Sequence, residues 1–208
     1  FRTAIMFFTR IPVGKIEYSQ KALNSSNKYL PVIGWIVGGI SGLTLILFNL
    51  IIPVDIAVVL SMGISIVVTG AFHEDGFVDV CDGFGGGWTR EKILEIMKDS
   101  RVGAFGVTGM IMLLLAKFIS LSKIHINILP ASIIAGHAIS RFNAVLFIYT
   151  HEYVRENRDS KAKPIGKSIK SSELRFASLT ALVPFILFHG VEFILIIQII
   201  LLIKHLFD

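Results

Sequence analysis

The chain has 208 residues, of which 53% are hydrophobic and only 17% charged, with a formal charge of +5 and a mean hydropathy of +0.72. A soluble domain carries roughly 25% charged residues, so too little polar surface remains here to clothe a globule in water, and lipid is the expected solvent. The single Cys81 excludes an internal disulfide and a multi-cysteine metal site within one chain. No signal peptide with a cleavage site is visible. The chain opens on Phe1 rather than Met, which points to an incomplete N-terminus.

In chain order, the segment from Phe1 to Val13 is apolar but short, with Arg2 and Arg10 interleaved. An interfacial helix fits it better than a span. A membrane-crossing helix needs about 20 mostly apolar residues, and such runs lie near 29–52, 54–72, 103–122 and 126–149. The stretch from about 176 to 207 is longer than one span and breaks at His189-Gly190, which predicts two short helices or a hairpin. The fold class is therefore all-α: a polytopic membrane bundle of about six transmembrane helices, one integral membrane domain over residues 1–208. Gly34, Gly38, Gly39 and Gly42 have the small-residue spacing that lets helices pack closely in lipid.

Lys and Arg set the orientation. Arg155, Arg158, Lys161, Lys163, Lys167, Lys170 and Arg175 place the loop 151–175 on the cytoplasmic side, and counting spans backward puts residues 73–102 and the N-terminus there too. The connections near Pro53, Lys123 and His189 are short and poor in basic residues. The expected location is the cell membrane, multi-pass.

Between the second and third spans stands His73-Glu74-Asp75-Gly76-Phe77-Val78-Asp79-Val80-Cys81-Asp82-Gly83. Asp75, Asp79 and Asp82 recur at i, i+4, i+7, within an arc of about 60° on a helix that turns about 100° per residue. Three carboxylates on one face repel unless a cation sits among them, and hard oxygen ligands favour Mg²⁺, Mn²⁺ or Ca²⁺. His73 and Glu74 flank that face and could add a ligand. A solvated acidic helix cap is the plainer reading of the spacing alone. Phe84-Gly85-Gly86-Gly87 follows, where backbone can approach a phosphate closely. Residues 89–98 then form a short amphipathic helix that ends in Lys98-Asp99-Ser100-Arg101, before Gly103 and Gly106. Acidic residues for a metal, with glycines and basic residues for phosphate oxygens, compose a kit for phosphoryl transfer.

The run "GAFHEDGFVDVCDGFGGGWTREKILEIMKDSRVGAFG" from Gly70 to Gly106 resembles the cobalamin synthase, or adenosylcobinamide-GDP ribazoletransferase, family. That family shows His-Glu-Asp-Gly-x-x-Asp-x-x-Asp-Gly followed by Met-Lys-Asp-Ser-Arg-x-Gly, and both stand here without gaps. Phe8-Thr9-Arg10-Ile11-Pro12, the Ser140-Arg141 pair, Tyr153 and Arg155 are similar too. Two departures stand out: the family's Gly-Gly-x-Thr-Gly-Asp segment is missing before Asp208, which implies a truncated C-terminus, and the basic segment 157–170 is longer and richer in lysine.

The resemblance implies that α-ribazole or its 5′-phosphate attacks adenosylcobinamide-GDP, forming adenosylcobalamin or its 5′-phosphate and releasing GMP, with Mg²⁺ as the metal. Asp75, Asp79 and Asp82, with Glu74, would hold Mg²⁺. Lys98 and Arg101 would meet other phosphate oxygens, Arg being suited to bidentate contact. His73 or an unliganded carboxylate would take the hydroxyl proton. Asp99 joins His73, Glu74, Lys98 and Arg101 as a candidate catalytic residue, and Gly85, Gly86, Ser100 and Arg141 are candidates for substrate binding. Arg141 and His137 lie one turn apart deep in a span, where a charge usually faces a polar cavity or a partner. Expected partners are the two substrates and membrane lipid, with room for a homo-oligomer and no nucleic acid. The rivals are a CDP-alcohol-type membrane phosphotransferase, whose Ala-Arg and aspartate spacing are lacking here, and a cation-coupled transporter, whose site would sit nearer the midplane.

Overall fold

A computed structural model describes residues 1–15, 19–151 and 168–188. The described residues fold into α1 (Arg2–Phe8), α2 (Gln20–Ser26), α3 (Leu30–Asn49), α4 (Val54–Thr69), α5 (Phe72–Gly86), α6 (Arg90–Ile96), α7 (Ala104–Ser122), α8 (Leu129–Thr150) and α9 (Ser171–Leu182). A 3₁₀ turn at Asn27–Tyr29 joins α2 to α3, and another at Val183–Leu187 follows α9. Pro31 and Pro130 sit in the first turns of α3 and α8, where a missing N–H costs nothing.

α3 and α8 form the centre. Gly34 lies against the carbonyl of His137 and Gly38 against the backbone of Ile134, so a Cβ at either position would collide with α8. The small-residue expectation for this span is met at these two positions, while Gly39 faces open space. α4 also packs on α3, where the Ser61 hydroxyl donates to the Ser41 carbonyl over 2.8 Å. One core joins Ala4, Phe8, Leu30, Ile33, Val37, Val145 and Ala177, and a second joins Leu45, Ala57, Val58, Met62, Leu129 and Ile133. α1 is thus docked on α3 through a core that includes Ala4 and Phe8, both buried. Along α7, Val107, Ile111, Met112, Leu115 and Ile119 are all exposed, an apolar face suited to lipid.

Three helical segments are long and apolar enough to cross a membrane: residues 20–49, 104–122 and 129–150. A fourth crossing results if α4 and α5 are taken together across their 91° bend. Three or four crossings are therefore present among the described residues, where about six were expected of the whole chain. α4 alone has 16 residues, α9 has 12, and residues 189–208 of the expected last pair lie outside the described residues, as do Tyr153, Arg155 and most of the basic loop.

Candidate functional site

The bend after α4 builds the site. Gly70 and Ala71 both adopt left-handed backbone, with φ of 67° and 58°. Ala71 carries a Cβ there, a conformation that L residues other than glycine rarely take. The Arg10 N–H donates to the Val68 carbonyl over 2.8 Å, and the Arg10 side chain lies against Gly70, leaving no room for a Cβ. Arg10 of the N-terminal motif thereby braces the point where α4 stops and α5 departs.

Residues 72–86 are helical without interruption despite Gly76 and Gly83. The expected i, i+4, i+7 face therefore exists: Asp75 is exposed and Asp79 half-buried on one side of α5. Asp82, turned back by about 20° from Asp75, falls at the edge that packs on α7. It is 9% exposed, and its two oxygens accept the Gly103 N–H at 2.7 Å and the Gly106 N–H at 2.8 Å. A Cβ at Gly103 or Gly106 would strike the carboxylate. The acid closing one motif thus caps the helix opened by the next, where free N–H groups and the helix dipole favour a negative charge.

As placed, the four expected metal ligands are not gathered around one point, and no three His, Cys, Asp or Glu side chains among the described residues converge on a common ion. Asp75 and Asp79 still fit Mg²⁺, which characteristically takes one or two carboxylates and completes its shell with water and substrate phosphate oxygens.

Gly85 and Gly86 lie in the last turn of α5. The Phe105 ring covers the face where a Gly85 Cβ would stand, and Ile96 approaches Gly86. Both glycines therefore have a packing reason. Thr89 caps α6 by accepting the Lys92 N–H at 3.3 Å. Beyond α6, Lys98, Ser100 and Arg101 are exposed. The Arg101 guanidinium grips Asp99 through Nη2 to Oδ2 at 2.6 Å and Nε to both oxygens at 3.1 Å, and the Arg101 N–H donates to Oδ1 at 3.0 Å. These hydrogen bonds hold the Asp99 carboxyl down to about 2. The fork expected to meet phosphate oxygens thus holds the Asp99 carboxylate here.

His73 and Glu74, at the start of α5, open onto a second feature. They line a cavity of about 290 Å³ together with Ser65 and Thr69 of α4, Lys117 of α7, and His137, Ser140, Arg141 and Ala144 of α8. Arg141 is 4% exposed, and its Nη1 meets the His137 Nδ1 at 3.0 Å and the His137 carbonyl at 3.1 Å. Its Nε and the Glu74 Oε2 are both buried without a hydrogen-bond partner. The polar cavity expected beside Arg141 and His137 is thus present. Lys117 escaped the sequence reading because one lysine in the 19-residue α7 leaves its hydropathy spanning. Its signal was the cost of an ionisable group inside a span.

Comparison with known proteins places this geometry in context. The whole chain, residues 1–208, matches the family described as Cobalamin-5-phosphate synthase. It is 43% identical over 201 residues to the adenosylcobinamide-GDP ribazoletransferase of Shewanella amazonensis, covering 95% of this chain and 77% of the relative. The enzymes of the same name from Ralstonia pickettii and Leptospira interrogans are 44% and 40% identical, over 89% and 90% of this chain and 73% and 72% of theirs. No solved structure matches.

Proposed function

The chain belongs to the cobalamin-5-phosphate synthase family, and from that membership we infer how helices α5 to α8 divide the reaction among their residues. It is an adenosylcobinamide-GDP ribazoletransferase of cobalamin biosynthesis. A ribose hydroxyl of α-ribazole or its 5′-phosphate attacks the phosphorus bonded to the cobinamide arm. The new ribose O–P bond forms as the P–O bond to GMP breaks, and the hydroxyl proton must pass to a base.

The residues divide the work of binding, positioning and proton transfer. Asp75 and Asp79 would hold Mg²⁺ beside the diphosphate, with Glu74 next to them, and the metal when bound supplies neutralisation of the charge gathering on the departing GMP oxygen. Asp82 holds α7 against α5 and so fixes the distance between the acidic face and the 98–101 segment, a second-line part in the metal site compared with direct ligation. Lys98, Ser100 and Arg101 bind donor phosphate oxygens, Arg101 exchanging its exposed Asp99 partner for them, while Gly85 and Gly86 keep the adjoining surface low. His73 and Glu74 stand where the acidic helix meets the cavity, and either can take the hydroxyl proton there. Arg141 binds substrate from the cavity floor. Water leaves the reacting groups as the substrates fill this space, which strengthens each of these charge contacts.

The observation that carries the assignment of roles is that one helix, α5, offers the exposed Asp75 and the half-buried Asp79 on one side and the His73–Glu74 pair to a cation-lined cavity on another. The active loop and N-terminus are proposed to face the cytoplasm, on the basic-residue pattern. Purified protein in detergent, given adenosylcobinamide-GDP, α-ribazole and Mg²⁺, should yield one adenosylcobalamin per GMP released. GMP released without a cobalamin product would overturn the transfer chemistry.

A further inference from the structure

The cavity between α4, α5, α7 and α8 holds an imbalance of charge. Among the described residues that line it, Lys117 and Arg141 are the fixed cations and Glu74 the only carboxylate. Glu74 lies within Coulombic influence of both, yet neither forms an ion pair with it. The ion pairs among the described residues are Lys28–Glu173, Lys92–Glu95 and Arg101–Asp99, all elsewhere. Arg141 is buried and, among the described residues, is hydrogen-bonded only to His137, which brings no negative charge, while its Nε has no partner there. Lys117 is half-buried and in no ion pair among the described residues. A buried cation without an anion is costly, and about 290 Å³ of space lies between these groups. Hydroxyls of Ser65, Thr69 and Ser140 line the same space; each donates to a helix carbonyl, and rotation of its O–H would let it donate to an entering phosphate oxygen instead.

We propose that this cavity is the site for a phosphate monoester, that of the phosphorylated acceptor nucleotide, gripped by Lys117 and Arg141 with His137 positioning the guanidinium. A monoester dianion answers both cations at once, and the unpartnered Glu74 Oε2 on the wall is left to accept from a sugar hydroxyl of the same molecule. The site is distinct from the 98–101 segment, so donor and acceptor phosphates are held by separate cations. This inference rests on the transferase reading above, and an anionic lipid headgroup would offer the same chemistry.

The test measures equilibrium binding of α-ribazole 5′-phosphate and of α-ribazole to the detergent-solubilised protein without donor, and then kcat/KM for each with adenosylcobinamide-GDP. Hydrogen bonds to charged groups differ from their loss by about tenfold or more in affinity. Wild type should therefore prefer the phosphorylated acceptor by at least about tenfold, Lys117→Met should erase that preference, and Lys117→Arg should restore most of it. Inorganic phosphate should compete with the phosphorylated acceptor and not with the nucleoside, which tests the site on wild type should Lys117→Met fail to fold. A preference absent from wild type, or surviving in Lys117→Met, overturns the proposal. So does equal weakening of both acceptors. Native mass spectrometry covers the lipid source: phosphatidylglycerol lost from Lys117→Met while acceptor discrimination persists would assign the cavity to lipid and overturn it too. Failure of transfer by wild type with the binding preference intact would strike the activity reading alone.

Discussion

Asp82 is where anchoring and metal ligation make opposite predictions. Asp82→Asn keeps one carbonyl to accept from Gly103 or Gly106, but turns an amide NH₂ toward the other N–H, donor against donor. A hydrogen bond to a charged group contributes about 1.5–3 kcal/mol, and the lost charge at the α7 N-terminus adds about 0.3–1 kcal/mol. The variant should therefore lose about 2–4 kcal/mol of stability, readable in a denaturant titration followed by the fluorescence of Trp35 and Trp88. Its residual activity should keep the Mg²⁺ half-saturation of wild type, because the defect is in helix placement. Asp75→Asn, at an exposed position, should show the reverse: stability within about 0.5 kcal/mol of wild type and a raised Mg²⁺ requirement. An Asp82→Asn protein that unfolds like wild type and needs tenfold more Mg²⁺ would refute the anchor and put Asp82 among the ligands.

Gly106→Ala drives a Cβ into the Asp82 carboxylate and should cost about 1–3 kcal/mol through overpacking, while Gly39→Ala, open to space, should be nearly silent in the same titration. Arg101→Lys keeps the charge but loses the planar fork; kcat/KM should fall by the equivalent of about 2 kcal/mol, and a value within about twofold of wild type would assign Arg101 to lipid headgroups. Because Arg101 lowers the Asp99 pKa to about 2, their pairing is present above the ordinary carboxylate range and lost only as pH falls through that value. Any acid limb of activity near neutrality should therefore survive Asp99→Asn, and its disappearance would show that Asp99 titrates there. In a Cys81→Ser background, cysteines at Thr89 and Lys163 should resist an impermeant thiol reagent on intact cells, and labelling at either before lysis would reverse the proposed orientation.

The parts of the molecule that were legible in its sequence are those whose signal is local. Runs of apolar residues gave α3, α7 and α8 nearly to their ends, since span length follows from hydrophobic thickness alone. The aspartate spacing gave the helical face of α5, because a period near 3.6 needs no tertiary context. Asp82 was harder to read, since its role depends on Gly103 and Gly106, about twenty residues further on. Nothing in a single sequence says which acid of a periodic set will meet the next helix. The bend at Gly70-Ala71 was hidden too, because Ala71 carries no mark of a left-handed backbone.

Lys117 makes the same point for the cavity. Alone in α7 it could snorkel to an interface, as long basic side chains near helix ends do. It becomes informative only when α8 brings Arg141 and His137 to the same space and α5 brings a single carboxylate. Two cations, Arg141 buried and Lys117 half-buried, facing one acid are not explained by pairing within the described residues, and a membrane interior would select against such an excess unless a ligand answered it. The charge the fold leaves unbalanced is thus a better pointer to substrate than any one residue type, and it points to an anion entering where α5 leaves α4.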